Sequence, residues 1–231
     1  ELVGSTTLEL SEVTQSFRFE GLPERPVPSL LRGFSAPVIL ERETSRDERL
    51  LLLAHDTDPF NKWEAGRALA KEVLAGMITK GTSPNERFLN ALDRVARDDT
   101  LDPAFRALVL ALPSEDDMAQ TLHASGVTPD PTAIHAARRA LTAAIAERCE
   151  ATMAALYAQM DVSGSYKPDA EAAGRRALRG VAQRLLAERD GGARAAEQFS
   201  MADNMTDQLG AFSTLLAIGK GEAATQSFFD Q

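Results

Sequence analysis

Residues 130–160 read DPTAIHAARRALTAAIAERCEATMAALYAQM. Asp130 offers a side-chain acceptor and Pro131 follows it, the pair that opens a helix: the carboxylate takes an orphan amide, and proline has no N–H to leave unpaired. Ile134, Leu141, Ile145, Cys149, Met153, Leu156 and Met160 then recur at helical spacing and lay one apolar stripe along it. The same start signal stands at Asp58-Pro59, Ser83-Pro84 and Asp102-Pro103. Ser45 with Glu48 makes a capping box ahead of the Leu50–Leu53 run, hydroxyl and carboxylate each satisfying one free amide.

Working outward, the stripes continue. Trp63, Ala70, Val73, Leu74 and Met77 form one; Phe88, Leu92 and Val95 another; Phe105, Leu108, Val109 and Leu112 a third. Ala173, Ala177, Val181 and Leu185 follow, then Leu209, Phe212, Leu215 and Leu216, and a last helix is expected over 222–229. Short links between such helices predict a mainly α fold: an antiparallel helical array, superhelical or solenoid-like. No strict repeat of fixed length is visible in the sequence.

Upstream of residue 42 the character changes. That stretch has a single alanine, Ala36, and four prolines, Pro23, Pro26, Pro28 and Pro37. Alternation over 5–10 and 13–19, and the segments 28–34 and 37–40, predict short β-strands with a turn at Gly21 and Pro23. Four such strands cannot cover their own second face, so residues 1–41 are expected to be the C-terminal strands of a β-sandwich domain and 42–231 an α-helical domain.

The 231 residues carry a net charge of −9, which argues against a phosphate-tracking nucleic-acid binder with its basic stripe. The single cysteine, Cys149, excludes an internal disulfide and any multi-cysteine metal site. No apolar run reaches the roughly 18 residues that span a bilayer. The chain starts at Glu1 rather than methionine, and Phe228 and Phe229 stand almost at its other end; both suggest a piece of something longer.

A search for chemistry returns no catalytic, cofactor-binding or metal-ligating residue. His55, His123 and His135 have no partner at four-residue spacing, so no zincin-type helix is present. Cys149 lies on an apolar stripe and reads as a small buried hydrophobe. Glu115-Asp116-Asp117 and Asp98-Asp99 lack the spacing of a calcium loop and read as helix-start charge and a solvated turn. Gly219, Gly221 and Ala224 follow a helix instead of a strand, and after Gly76 and Gly81 Thr82 stands where a phosphate loop needs lysine. Arg138-Arg139 and Arg175-Arg176 read as polar helix faces, and Trp63 as a core anchor.

The proline-rich segment upstream of residue 42 and Asn204-Met205-Thr206-Asp207 are more specific than the alanine-rich helices. Val13-Thr14-Gln15-Ser16-Phe17-Arg18-Phe19 leads into the Arg25–Val38 stretch, RPVPSLLRGFSAPV, and His55-Asp56 leads into Asp58-Pro59-Phe60-Asn61-Lys62-Trp63-Glu64-Ala65. With Asn204-Met205-Thr206-Asp207, these resemble the bacterial aminopeptidase N family of zinc metallo-aminopeptidases, from the end of its small β-sandwich into its helical C-terminal domain. In that family a His-Glu-x-x-His helix binds zinc and a Gly-x-Met-Glu-Asn segment holds the substrate amine. This sequence contains neither, so no site residue carries over.

The resemblance implies an inactive accessory portion of a peptide hydrolase, packed on the catalytic domain of the same polypeptide and walling or gating the chamber that peptide substrates enter. Zinc then belongs to the parent enzyme, with no cofactor in this stretch. A cytoplasmic location and possible self-association through an open helical end are expected, without nucleic-acid or membrane partners. The alternative is a stand-alone α-helical scaffold for protein partners.

Overall fold

The computed structural model describes residues 3–38, 40–162, 164 and 166–230. Glu1, Gln231 and Ile39 of the expected 37–40 strand lie outside the described residues. Among the described residues there are eleven α-helices: α1 Arg46–His55, α2 Pro59–Lys80, α3 Glu86–Arg97, α4 Pro103–Leu110, α5 Glu115–Ala124, α6 Pro131–Arg148, α7 Glu150–Gln159, α8 Ala170–Asp190, α9 Ala193–Met201, α10 Met205–Ala217 and α11 Glu222–Phe229.

The start signals act as expected at four sites. Ser45 and Glu48 close a reciprocal box on α1, and Asp58, Asp102 and Asp130 accept first-turn amides of α2, α4 and α6 with proline at the helix start. Ser83-Pro84 does not: α3 begins two residues later, because Asn85 Oδ1 accepts from both Arg87 N and Phe88 N and supplies the cap there instead. The long stripe of 130–160 is shared by two helices. The backbone departs from helical geometry at Cys149 (φ −106°, ψ 12°), while the bonds Cys149 N to Ile145 O and Met153 N to Cys149 O run through the bend. Ile134, Leu141, Ile145, Cys149, Met153 and Leu156 are all buried.

Helix α8 is the spine. It packs on α4, α6, α7, α9 and α10, while α1 pairs with α2 and both reach α3 and α6 respectively. At the α4–α8 crossing a Cβ on Gly174 would come within 3.1 Å of Ala104 N, so the two helices approach closely only because that position has no side chain. One core runs from Leu50 to Leu186 across α1 to α8. A smaller one, Ala195, Phe212, Leu215 and Ala224 with Phe199 and Phe228, joins α9 to α11. There Phe212 stacks on Phe228 with ring centroids 5.0 Å apart, turning both inward. Of the residues expected on that end, Leu209 and Leu216 are about half exposed and Phe229 is largely exposed.

The strands expected over 5–40 are not observed. Among the described residues this stretch is extended, without a β-ladder, and carries a single 3-10 turn at Arg32–Phe34. The physical reason is that a strand is stable only when paired and covered. Here Leu10, Val13 and Phe19 have neither, and each remains more than half exposed.

Candidate functional site

Residues 28–42 are bound to the helical array by specific contacts. The chain turns sharply at Leu31, Gly33 and Phe34, all with positive φ, a conformation that is strained for the two bulky residues. The turn aims Arg32 at the α1–α2 corner, where its guanidinium donates to Asp56 Oδ1 at 2.7 Å, Thr57 Oγ1 at 2.7 Å and Ser29 Oγ at 2.9 Å. Gly33 N donates to Asp58 Oδ2 at 2.9 Å, so one carboxylate both caps α2 and holds the incoming chain. Asn61 Nδ2 donates to Leu30 O, and Arg42 bridges Pro28 O to Glu48. Phe34, Phe60 and Trp63 pack in tilted ring contacts beside this turn, with the Arg67 guanidinium over the Trp63 ring.

A second polar feature is a groove of about 460 Å³ between the end of α3, α4 and α7. Its floor includes Ala96 and Leu156; Arg97, Asp99, Arg106 and Gln159 line it. Arg106 is buried and donates to Ala96 O at 3.0 Å. Beneath Arg97, Asp93 accepts from Thr152 Oγ1 at 2.6 Å and from Arg97 Nε at 3.0 Å. Nearby, buried Lys62 donates to Leu53 O and Ala54 O at the end of α1, and burial pulls its pKa below the usual lysine range.

The third is an arginine strap. Arg175 donates to Gln159 O and Asp161 O, Arg176 to Lys167 O, and Arg179 pairs with Asp161 and stacks on Tyr157. All three tie the α7–α8 connection to α8. The expectation of a polar face is therefore corrected for Arg176, which is buried under the Tyr166 ring because that connection folds over it. Arg138 likewise reaches Pro113 O, while Arg139 stays exposed beside Glu188.

The other residues singled out from sequence fall as follows. His55, His123 and His135 are exposed on three different helices, His135 meeting Glu115 at 2.9 Å. Cys149 is buried, and burial, with Asp93 adding to it, pushes its thiol up to about 12. Glu115, Asp116 and Asp117 form the first turn of α5, and Asp98 caps the Thr100 turn. Trp63 is half-buried against the core. Among the described residues no three His, Cys, Asp or Glu side chains gather to hold a metal. Lys62, Arg106 and Arg32 were missed; the one available signal was a lone arginine inside the apolar octet PAFRALVL of α4.

Residues 46–231 match the family described as a domain of unknown function (DUF3458_C) with ARM repeats. The chain belongs to the DUF3458_C family. Its residues 1–43 match a second model, DUF3458, described as an Ig-like fold. The DUF3458_C chain is 40% identical over 228 residues to Aminopeptidase N of Caulobacter vibrioides, covering 95% of this chain and 26% of that protein. Against Aminopeptidase N of Escherichia coli it is 30% identical over 221 residues, 92% of this chain and 25% of the relative. A solved structure, Legionella pneumophila aminopeptidase A in complex with aspartic acid, aligns with a TM-score of 0.78 at 27% identity over 93% of this chain and 26% of that one. The aminopeptidase N resemblance thus extends over nearly the whole chain, which spans about a quarter of the relatives' length.

Proposed function

We propose that this chain is the non-catalytic joint and helical portion of an aminopeptidase N-type zinc metallopeptidase, which removes N-terminal amino acids from peptides. The observation that carries the reading is the continuous match of 95% of the chain to 26% of Aminopeptidase N. On this reading residues 1–41 finish a β-sandwich and residues 42–231 form the helical domain that packs on the catalytic domain of the same polypeptide and walls its chamber. An immunoglobulin-like sandwich takes about 100 residues, so the 43 matched here need strands from elsewhere to pair with.

The joint supports a fixed orientation of the two parts, since Arg32, Gly33 and Asn61 bond across it. Zinc belongs to the part of the enzyme with the His-Glu-x-x-His segment; the donors described here do not fit it, with the three histidines on α1, α5 and α6. The exposed Phe229 and Leu216 support a covered or self-associating α10–α11 end. No helix among the described residues is long and apolar enough to cross a membrane. A cytoplasmic setting is part of this reading; the single cysteine, Cys149, is buried. The test is direct: the purified chain is expected to hydrolyse no amino-acid arylamide and to retain no stoichiometric zinc. Zinc-dependent turnover by the chain alone would overturn the proposal.

A further inference from the structure

The core of α1 to α8 and the smaller core of α9 to α11 are separate, and polar side chains cross the seam between them. Gln198 on α9 ties the two bodies together. Its Oε1 accepts from Tyr157 Oη of α7 at 3.2 Å and from Arg179 Nη1 of α8 at 2.9 Å. Its Nε2 donates to Asp207 O of α10 at 3.1 Å. Elsewhere in the seam, Gln183 of α8 faces Thr214 of α10, both buried. The one hydroxyl hydrogen of Thr214 serves Gly210 O at 3.0 Å, so its 3.5 Å contact with Gln183 Oε1 is weak. The buried Gln183 Nε2 has no acceptor among the described residues. Such a donor costs free energy that hydration returns when the seam opens.

The chain passes from one body to the other once. Helix α8 ends at Asp190 and α9 starts at Ala193, and the two linking residues are Gly191 and Gly192, with φ of 65° and 87°. Glycine changes its backbone angles at little steric cost, which suits a pivot. Asp190 sets the closed arrangement, accepting from Gly192 N at 2.8 Å and from Arg194 Nη1 at 2.6 Å. An open cavity of about 430 Å³ adjoins the link and leaves room beside it, lined in part by both glycines, Ala193, Phe199, Leu215 and Ala224. Beyond the link, Phe199, Phe212 and Phe228 hold α9–α11 together, with successive ring centroids 6.0 and 5.0 Å apart. Two coherent bodies, a polar seam and one short link are the ingredients of relative motion.

We propose that α9–α11 is a hinged module that swings as one body about Gly191–Gly192. Gln198 is the latch that holds it closed on α7 and α8, and the unpaired Gln183 amide is the local cost that favours opening. A hinge of this kind belongs to this chain's own residues and stands whether or not the aminopeptidase reading holds.

Spin labels on the 231-residue chain read the motion, because the single native cysteine, Cys149, is buried and introduced thiols take the label. Glu147→Cys with Ser213→Cys spans the seam, and Gln120→Cys with Glu147→Cys is the control within α1–α8; all three sites are exposed. Double electron–electron resonance is expected to give two distances across the seam and one for the control. Gln198→Ala is expected to raise the longer-distance population at least about threefold. Gln183→Met keeps the shape of the side chain and removes its amide, and is expected to lower that population at least about threefold. Circular dichroism of both variants is expected to match the parent. A single distance across the seam in the parent, a longer-distance population that Gln198→Ala does not raise or Gln183→Met does not lower, or loss of helix in either variant would overturn the proposal.

Discussion

Lys62 and Arg106 each carry a positive charge into the interior, and each meets the carboxyl end of a helix. Lys62 Nζ bonds Leu53 O and Ala54 O of α1, and Arg106 bonds Ala96 O of α3. Those carbonyls have no intrahelical partner and sit at the negative end of the helix dipole, which is why a cation is tolerated there. Lys62→Met keeps the stem's packing and deletes the donor; it is expected to destabilise the chain by about 1–3 kcal/mol in urea denaturation, and an unchanged midpoint would contradict this. Cys149 gives a second residue-scale prediction. With its thiol raised to about 12 and its side chain buried, native protein at neutral pH should resist alkylation and label rapidly once unfolded in urea. Fast native labelling would show the bend at Cys149 to be open. The burial of Cys149 was legible, because a stripe at helical spacing fixes which side faces in. The burial of Lys62 and Arg106 was not: each finds its acceptors on another helix, and no local pattern reports those.

At the scale of elements, start signals were readable wherever the acceptor and the first-turn amides lie within three residues of each other. They failed at Ser83-Pro84, where a second competent cap, Asn85, stands two residues on and is the one used. The α1 box has a pH signature. The hydrogen bond from Ser45 N holds the Glu48 carboxyl below its ordinary 4.5, with slight burial opposing and Arg42 assisting. A carboxyl whose pKa is lower folded than unfolded adds stability above the unfolded value and loses it as pH falls through the folded one. Glu48→Gln is therefore expected to flatten the acid limb of the stability curve below about pH 4.5. An acid limb identical to the parent's would contradict it. The close approach of α4 and α8 gives another test. Gly174→Leu should force the helices apart at Ala104 and lower stability by about 1–3 kcal/mol, measured by thermal or urea unfolding. A neutral result would mean the crossing is loose.

For the whole molecule, the mainly helical class was legible from periodicity, while the state of the first 40 residues was not. Alternation there records strand propensity, but a ladder needs a partner that local sequence does not specify. The aminopeptidase resemblance carried what periodicity lacked, since RPVPSLLRGFSAPV and Asn-Met-Thr-Asp are specific where alanine-rich helices are generic. In the structure these segments do mechanical work: Arg32 and Gly33 grip the α1–α2 corner, and Asn204 caps α10 through Asp207 N. Limited trypsin treatment should cut after the exposed Arg18 well before Arg32, whose bonds to Asp56 and Thr57 hold it down. Earlier cleavage at Arg32 would mean the joint is not fixed. The central claim is that this chain serves as the accessory portion of an aminopeptidase N-type enzyme, and association tests it most directly. Mixed with Caulobacter vibrioides Aminopeptidase N from which the matched region has been removed, the folded chain is predicted to form a one-to-one complex in analytical ultracentrifugation. Two separately sedimenting folded species would contradict the account.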